Sequence, residues 1–250
     1  MNIPTLSIVV PTFNRRELID LMLRALLRTK ASPDAFEIIL VDDGSTDGTG
    51  HFVRESLPKV VYVWRSKNIG KPNNPGLARN CGIRAAKGEW IAFIDCDVIH
   101  FHDVIGATLA ALNEKAIYSC EGTWIHERDF DCARRIGYES GQGKMPIYFW
   151  WVASRDVLIE IGGFDERFTD YGAEDEDIRL RLFRRGLKTR LIGGQFAVGM
   201  YASRGVPGGV INRAQNAAQH QLKETDMTVV RNIGVNWGDA GAQEESANAV

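Results

Sequence analysis

No stretch of this chain is apolar for the roughly 20 residues that a membrane-spanning helix needs, so no transmembrane segment is expected. The first residues have no basic cluster ahead of an apolar core and pass almost at once into a strand pattern, so no secretory leader is expected. Cysteine is scarce. Cys81, Cys96, Cys120 and Cys132 show no paired CxxC spacing and read as reduced intracellular thiols. A surplus of charge is missing too: the net charge is −2, which gives no electrostatic case for a nucleic-acid partner. The glycines follow neither GxGxxG nor GxxxxGK[ST], so neither a dinucleotide fold nor a P-loop is supported. No internal repeat is present. The expectation is a soluble cytoplasmic protein, with peripheral membrane contact or a homodimer left open.

What is present is a core. The chain has 250 residues, 44% of them hydrophobic, which suits one large α/β domain or two tightly fused halves. Apolar runs of strand length at Leu6–Val10, Glu37–Val41, Val60–Trp64 and Ile91–Ile94 alternate with stretches of helical period. Those helices are expected over Arg15–Lys30, from Thr46 or Asp47 (either able to cap) to about Leu57, and over Leu77–Ala86. Such alternation implies a mostly parallel sheet flanked by helices, with right-handed crossovers. The second half is less regular. Helices are expected at Asp103–Leu112, Val152–Ile161 and Glu174–Arg185, and a strand at Ala116–Ile125, while 240–250 reads as a disordered tail.

Two of the strands end in acid pairs. Ile91-Ala-Phe-Ile94 runs directly into Asp95-Cys-Asp97, which places two carboxylates at the carboxyl edge of the sheet, where open α/β sheets bind ligands. Unpaired acids there repel each other and lose hydration, so they call for a hard divalent cation, which can in turn hold a diphosphate. The other reading is a strand followed by an acidic turn. Asp42-Asp43-Gly-Ser ends a second strand, and a carboxylate there can accept from a base N–H or a ribose hydroxyl. Lys71 and Arg79 add cations that could neutralise phosphate or contact a base. Glu174-Asp-Glu-Asp177 opens a helix, where the dipole favours acids; a carboxylate so placed also suits a general base.

Pro11-Thr-Phe-Asn14, Val41-Asp-Asp-Gly-Ser, Ala78-Arg-Asn-x-Gly, Phe93-Ile-Asp-Cys-Asp97 and Gly162-Gly-Phe-Asp occur in that order. Together they resemble nucleotide-sugar glycosyltransferases of the GT-A fold, in the group that includes cellulose, chitin and chondroitin synthases. Tyr148–Leu182 further resembles the carboxyl-terminal part of β-1,4-galactosyltransferases and polypeptide N-acetylgalactosaminyltransferases. The resemblance spans roughly residues 5–200. It implies a nucleotide-sugar half at 1–115, an acceptor-binding and catalytic half at 116–215, and a partly disordered extension at 216–250.

The resemblance also implies roles. Pro11, Thr12 and Asn14 would line the uridine pocket, and Asp42 would bind uracil, with Arg79 near the base or phosphates. Asp95 would contact ribose or metal-bound water, and Asp97 would ligate Mn2+ or Mg2+. Asp175 matches the base of inverting members, Glu174 would bind sugar hydroxyls, and Trp150 and Trp151 fall beside donor sugar and acceptor, although two tryptophans could equally be core. The implied reaction moves a hexosyl or N-acetylhexosaminyl group from a UDP-sugar to a hydroxyl of a carbohydrate or other acceptor. A retaining transferase and a non-catalytic sugar-nucleotide-binding module are the rivals. One departure stands out: many relatives supply a metal-binding His after the strand at Gln195–Tyr201, where this chain has Met200-Tyr-Ala-Ser-Arg204. His220 lies later, in a stretch with no assigned element, and His100 and His102 read as polar residues near a helix start.

Overall fold

The computed structural model describes residues 3–65, 75–126, 150–168, 174–201 and 242–245, with Asn232 and Trp237. Its centre is a parallel sheet of β1 (Leu6–Thr12), β2 (Phe36–Asp42), β3 (Val60–Arg65) and β4 (Trp90–Phe93), in spatial order β4-β1-β2-β3. The strands are apolar runs because both faces are covered. Leu6, Ile8 and Val10 pack on one side with Met22, Leu23 and Leu26 of α1 (Arg16–Leu26) and Val53 of α2 (Thr49–Ser56). Val9, Ile39 and Val41 pack on the other with Ala78, Cys81 and Ile83 of α3 (Pro75–Ala85). That contact is close: a Cβ on Gly82 would lie 2.3 Å from a Val9 methyl. The chain runs outward from β1 to β3 and then returns to β4 on the far side of β1. The carboxyl ends of β1 and β4 therefore border the crevice where doubly wound sheets take ligands.

The second half extends the same sheet past β4. It contributes β5 (Val98–His100), α4 (Val104–Ala111), β6 (Ile117–His126), β7 (Trp151–Ser154), α5 (Arg155–Glu160), α6 (Glu174–Arg184) and β8 (Thr189–Tyr201). With β9 (Ala242–Glu245), the described residues form a nine-stranded sheet ordered β5-β8-β6-β7-β4-β1-β2-β3-β9. Here β7 runs antiparallel to both β4 and β6, while β6 and β8 are parallel. Among the described residues no helix is long and apolar enough to cross a membrane.

Four expectations need correction. The helix expected over Val152–Ile161 is two elements: Trp151–Ser154 is a buried strand beside β4, and only Arg155–Glu160 is helical. Pairing with β4 and β6, together with the strand preference of Trp and Val, overrides the helical spacing. The first residue of α2 follows Gly48 in the left-handed region (φ 85°), with Asp47 Oδ1 accepting from the Thr49 N–H at 3.1 Å. His100 is the last residue of β5, buried with its ring edge-on to Trp150. Within the stretch read as a disordered tail, Ala242–Glu245 forms β9, antiparallel to β3. Asp103, by contrast, starts α4 as expected, accepting from the Gly106 N–H at 2.9 Å.

Candidate active site

The loops after β1 and β2 are tied together. Asn14 adopts a left-handed conformation (φ 51°), which a short polar side chain tolerates. Its N–H donates to Ser45 Oγ at 2.8 Å, and its Oδ1 accepts from the Thr46 N–H at 2.8 Å. Thr12 lies at the β1 end with its side chain buried. Pro11 beside it is partly buried and pairs across to Val41.

The pleat sends the next two acids to different places. Asp42 is fully buried; its Oδ1 accepts from the Ser45 N–H at 2.7 Å and its Oδ2 from the Tyr62 hydroxyl at 2.6 Å. Both oxygens are occupied inside the protein, so Asp42 anchors the loop instead of meeting a base. Its neighbour Asp43 stands at the sheet edge, bound to Arg65 at the end of β3, and its N–H donates to the Thr12 carbonyl at 2.9 Å. Asp42, the acid expected to meet the base, thus has both oxygens engaged, while Asp43 pairs with Arg65. Alternation of side chains along a strand was the available signal.

Asp95, Cys96 and Asp97 follow β4 at the same edge. Asp97 Oδ1 is buried and has no hydrogen-bond partner. Burial and the charge of Asp95 push the Asp97 carboxyl up to about 7, opposed by Arg15, which begins the turn after Asn14. A buried, unsatisfied carboxylate oxygen beside a second carboxylate fits a hard divalent cation. No third His, Cys, Asp or Glu among the described residues converges with them. Two carboxylates plus water and substrate oxygens are a usual set for Mg2+-like ions. His220 and Lys71 lie outside the described residues, as does the Met200 side chain.

Arg79 joins this edge to α6. It is 4% exposed and projects from α3. Nη2 donates to Asp95 Oδ1 at 2.9 Å, Nη1 donates to Glu174 Oε1 at 3.1 Å, and Nη1 lies 3.6 Å from Asp175 Oδ1. Burial opposes its charge, but Asp175, Asp95 and Glu174 outweigh that and hold the guanidinium protonated. Glu174 is buried. Asp175 is partly exposed and its Oδ1 makes no hydrogen bond. Burial pushes the Asp175 carboxyl up to about 8; Arg79 opposes the rise, and Glu174, Asp95 and Glu176 add to it.

A small cleft beside Asp175 is lined by Trp151, Ile117, Ile178, Leu182 and Arg179. Trp151 stacks on Phe93 with ring centres 4.3 Å apart. Trp150 is different: it is fully buried and its Nε1 donates to Thr108 Oγ1 at 3.0 Å. Its place is the core, which corrects its assignment to the sugar.

Two motifs whose roles the sequence left blank turn out to grip each other. Asn80 Nδ2 donates to the Phe164 carbonyl at 2.9 Å, and Asn80 Oδ1 accepts from the Phe164 N–H at 2.8 Å. Gly163 is left-handed (φ 65°), and a Cβ there would lie 2.4 Å from Asn80 Oδ1. Asn232 adds a second clasp, donating to the Gly162 and Phe164 carbonyls at 2.7 Å each. Behind them Arg181, fully buried, pairs with Asp177 at 2.8 Å and donates to the Ile161 carbonyl at 3.1 Å. The turn at 161–165 and α6 are therefore tied into one platform.

Comparison with known proteins agrees with this architecture. The model of glycosyl transferase family 2 matches residues 7–162, and that of the N-terminal domain of galactosyltransferase matches 151–203. Among curated proteins, validoxylamine A glucosyltransferase of Streptomyces hygroscopicus subsp. limoneus is 26% identical over 226 residues, covering 74% of this chain and 49% of its own. Chondroitin synthase of Escherichia coli is 28% identical over 244 residues, covering 77% of this chain and 34% of its own. The chain thus spans half or less of the length of these relatives. Among solved structures, a mannosyltransferase from Pyrobaculum calidifontis in complex with GDP-Man and Mn2+ aligns with TM-score 0.64 and 25% identity, over 88% of this chain and 64% of that one. Residues 1–349 of TarS from S. aureus, in complex with UDP-GlcNAc, align with TM-score 0.58 and 20% identity over 81% of this chain and 59% of that one.

Proposed function

The chain belongs to glycosyl transferase family 2, and from that premise we propose that it transfers a sugar from a UDP-sugar to an acceptor hydroxyl, with divalent metal and with inversion. The observation that carries the reading is the gathering of Asp95, Glu174 and Asp175 around Arg79, next to the unsatisfied oxygen of Asp97. Asp97 and Asp95 would hold Mn2+ or Mg2+, which supplies positive charge to the departing diphosphate. A divalent cation accompanies the donor in the Pyrobaculum relative. Thr12 and Asn14 shape the nucleoside pocket, and Asp43 accepts from the base. Arg15 begins the turn beside Asp97 and offers the diphosphate a side-chain cation; Lys71 is a second.

Asp175 acts as general base. One of its oxygens makes no hydrogen bond, and its raised proton affinity suits removal of a hydroxyl proton near neutral pH. The acceptor oxygen then forms its bond to the anomeric carbon as the bond to the diphosphate breaks, which inverts that centre. Glu174 orients sugar hydroxyls, and Trp151 presents its indole along the cleft beside the base.

The test is a panel of UDP- and GDP-sugars with Mn2+, followed for donor hydrolysis, then for transfer to hydroxyl acceptors. Release of UDP from one member supports the reading. Release from GDP-sugars alone moves the base specificity, and no hydrolysis from any donor leaves a binding module. Product configuration by NMR separates inversion from retention.

A further inference from the structure

We propose that Arg79 is a positioning residue that holds the carboxylates of the active site in register, and that it does not bind the donor's diphosphate. A basic residue in an Ala-Arg-Asn motif close to a nucleotide crevice invites assignment to phosphate. The geometry points elsewhere. Both terminal nitrogens of the guanidinium already donate to carboxylates from opposite sides of the crevice: Asp95 after β4 and Glu174 at the head of α6. Asp175 completes an acidic ring at 3.6 Å. The guanidinium carbon lies over the Phe164 ring, 5.3 Å from its centroid, so that ring closes one approach to it.

A diphosphate approaching Arg79 would have to enter among Asp95, Glu174 and Asp175. The like charges would repel it, and any donor it captured would be taken from a buried carboxylate, which is costly. A planar fork with fixed donors is, on the other hand, well suited to setting a distance between two carboxylates. The adjacent Asn80 holds the Phe164 backbone at both its N–H and its carbonyl. Consecutive residues of α3 therefore grip the platform twice, once through its backbone and once through its acids. Arg79 then sets how far Asp175 stands from the nucleotide edge at Asp95. It acts on the reaction through those carboxylates and touches no reacting atom.

This inference rests on Asp175 being the base, and the test separates the two. Arg79→Gln and Arg79→Lys are compared with the parent protein in Mn2+. Calorimetry gives the affinity for the nucleoside diphosphate that the donor panel selects and for the matching nucleoside; steady-state rates give kcat and KM. The affinity ratio of diphosphate to nucleoside is expected to stay within about threefold of the parent in both variants. A tenfold change is about 1.4 kcal/mol, well within measurement. Transfer kcat is expected to fall by about tenfold or more in Arg79→Gln with donor KM little changed, and to recover in part in Arg79→Lys, which keeps the charge and loses the fork. A ratio that drops tenfold or more makes Arg79 a diphosphate ligand and overturns the proposal, as does an unchanged kcat in Arg79→Gln. Should Arg79→Gln not fold, the ratio in Arg79→Lys decides alone. Near-normal transfer by Asp175→Asn, measured alongside, overturns the base reading, while the ratio in the Arg79 variants still decides whether this guanidinium serves the diphosphate.

Discussion

Asp42-Asp43 and Asp95-Cys-Asp97 are both acid pairs at the carboxyl ends of parallel strands in one sheet, each with one acid held by an arginine, and they differ in the other acid. The first is closed by protein groups: Ser45 and Tyr62 occupy both oxygens of Asp42, and Arg65 pairs with Asp43. The second is closed at Asp95 by Arg79 and left open at Asp97, whose Oδ1 is buried and unsatisfied. Two acids at a strand end therefore do not by themselves make a metal site. What distinguishes them is whether the chain satisfies its own carboxylates. The acids that open α6 show both treatments side by side, since Glu174 is bound by Arg79 while Asp175 Oδ1 lacks a hydrogen bond.

Removing the open oxygen should have the largest effect. Asp97→Ala is expected to abolish Mn2+-dependent binding of UDP in calorimetry. Unchanged affinity would remove Asp97 from the site and end the contrast with Asp42. Next comes the base. Proton removal by a positioned group is worth about 10²–10⁴-fold in rate. Asp175→Asn should lose roughly that factor in transfer while keeping the UDP affinity of the parent. In the parent, kcat/KM should climb with pH toward about 8, because only the ionised form of Asp175 accepts a proton, and the variant should lack that limb.

The Asp42 and Asp43 pair then sharpens the contrast within one loop. A hydrogen bond to a charged group is worth about 1.5–3 kcal/mol. Asp43→Asn should therefore weaken nucleotide binding by about tenfold or more, and it also costs stability because buried Arg65 loses its counter-charge. Asp42→Ala should lower unfolding free energy by about 1–3 kcal/mol, because the Tyr62 hydroxyl and the Ser45 N–H lose their acceptor, while the folded variant keeps nucleotide affinity near that of the parent. Calorimetry on the two folded variants separates the acid that meets the nucleotide from the one that holds the loop.

The smallest effect concerns stability and pH. Asp97 and Asp175 are raised to about 7 and about 8 in the folded protein, against about 3.9 for an unfolded aspartate. Between those values the native state binds more protons than the unfolded one, so stability falls as pH rises. Metal-free protein should melt at lower temperature at pH 8 than at pH 5. Mn2+ should shrink that difference by compensating the ionised Asp97, and Asp97→Ala should shrink it without metal.

The first half of the molecule was legible because its strands are buried on both faces and its helices punctuate them, so apolar runs and caps agree. The ordered motifs also meet in space: Arg79 of one motif touches Asp95 of another and the acids Glu174 and Asp175. What escaped were facts of orientation. Choosing between Asp42 and Asp43, or Trp150 and Trp151, requires knowing which way one residue of a strand points, and the partner that decides is on another element: Tyr62 for Asp42, Thr108 for Trp150. The β7 strand escaped because its pairing with β4 is made by residues far apart in the chain. Asn80 and Gly163 could be seen as motif members, but not as each other's reason for being there.

One more consequence attaches to β9. Without Ala242–Glu245, β3 would be the outermost of the described strands on its side of the sheet, with the pattern Val60-Val-Tyr-Val-Trp-Arg65 and one edge of N–H and carbonyl groups left without the β9 ladder. An open, apolar strand edge is a template for pairing with another molecule. Ala242–Glu245, short and polar, occupies it instead. Deleting these four residues would therefore uncover the β3 edge, and losses to self-association would grow with protein concentration.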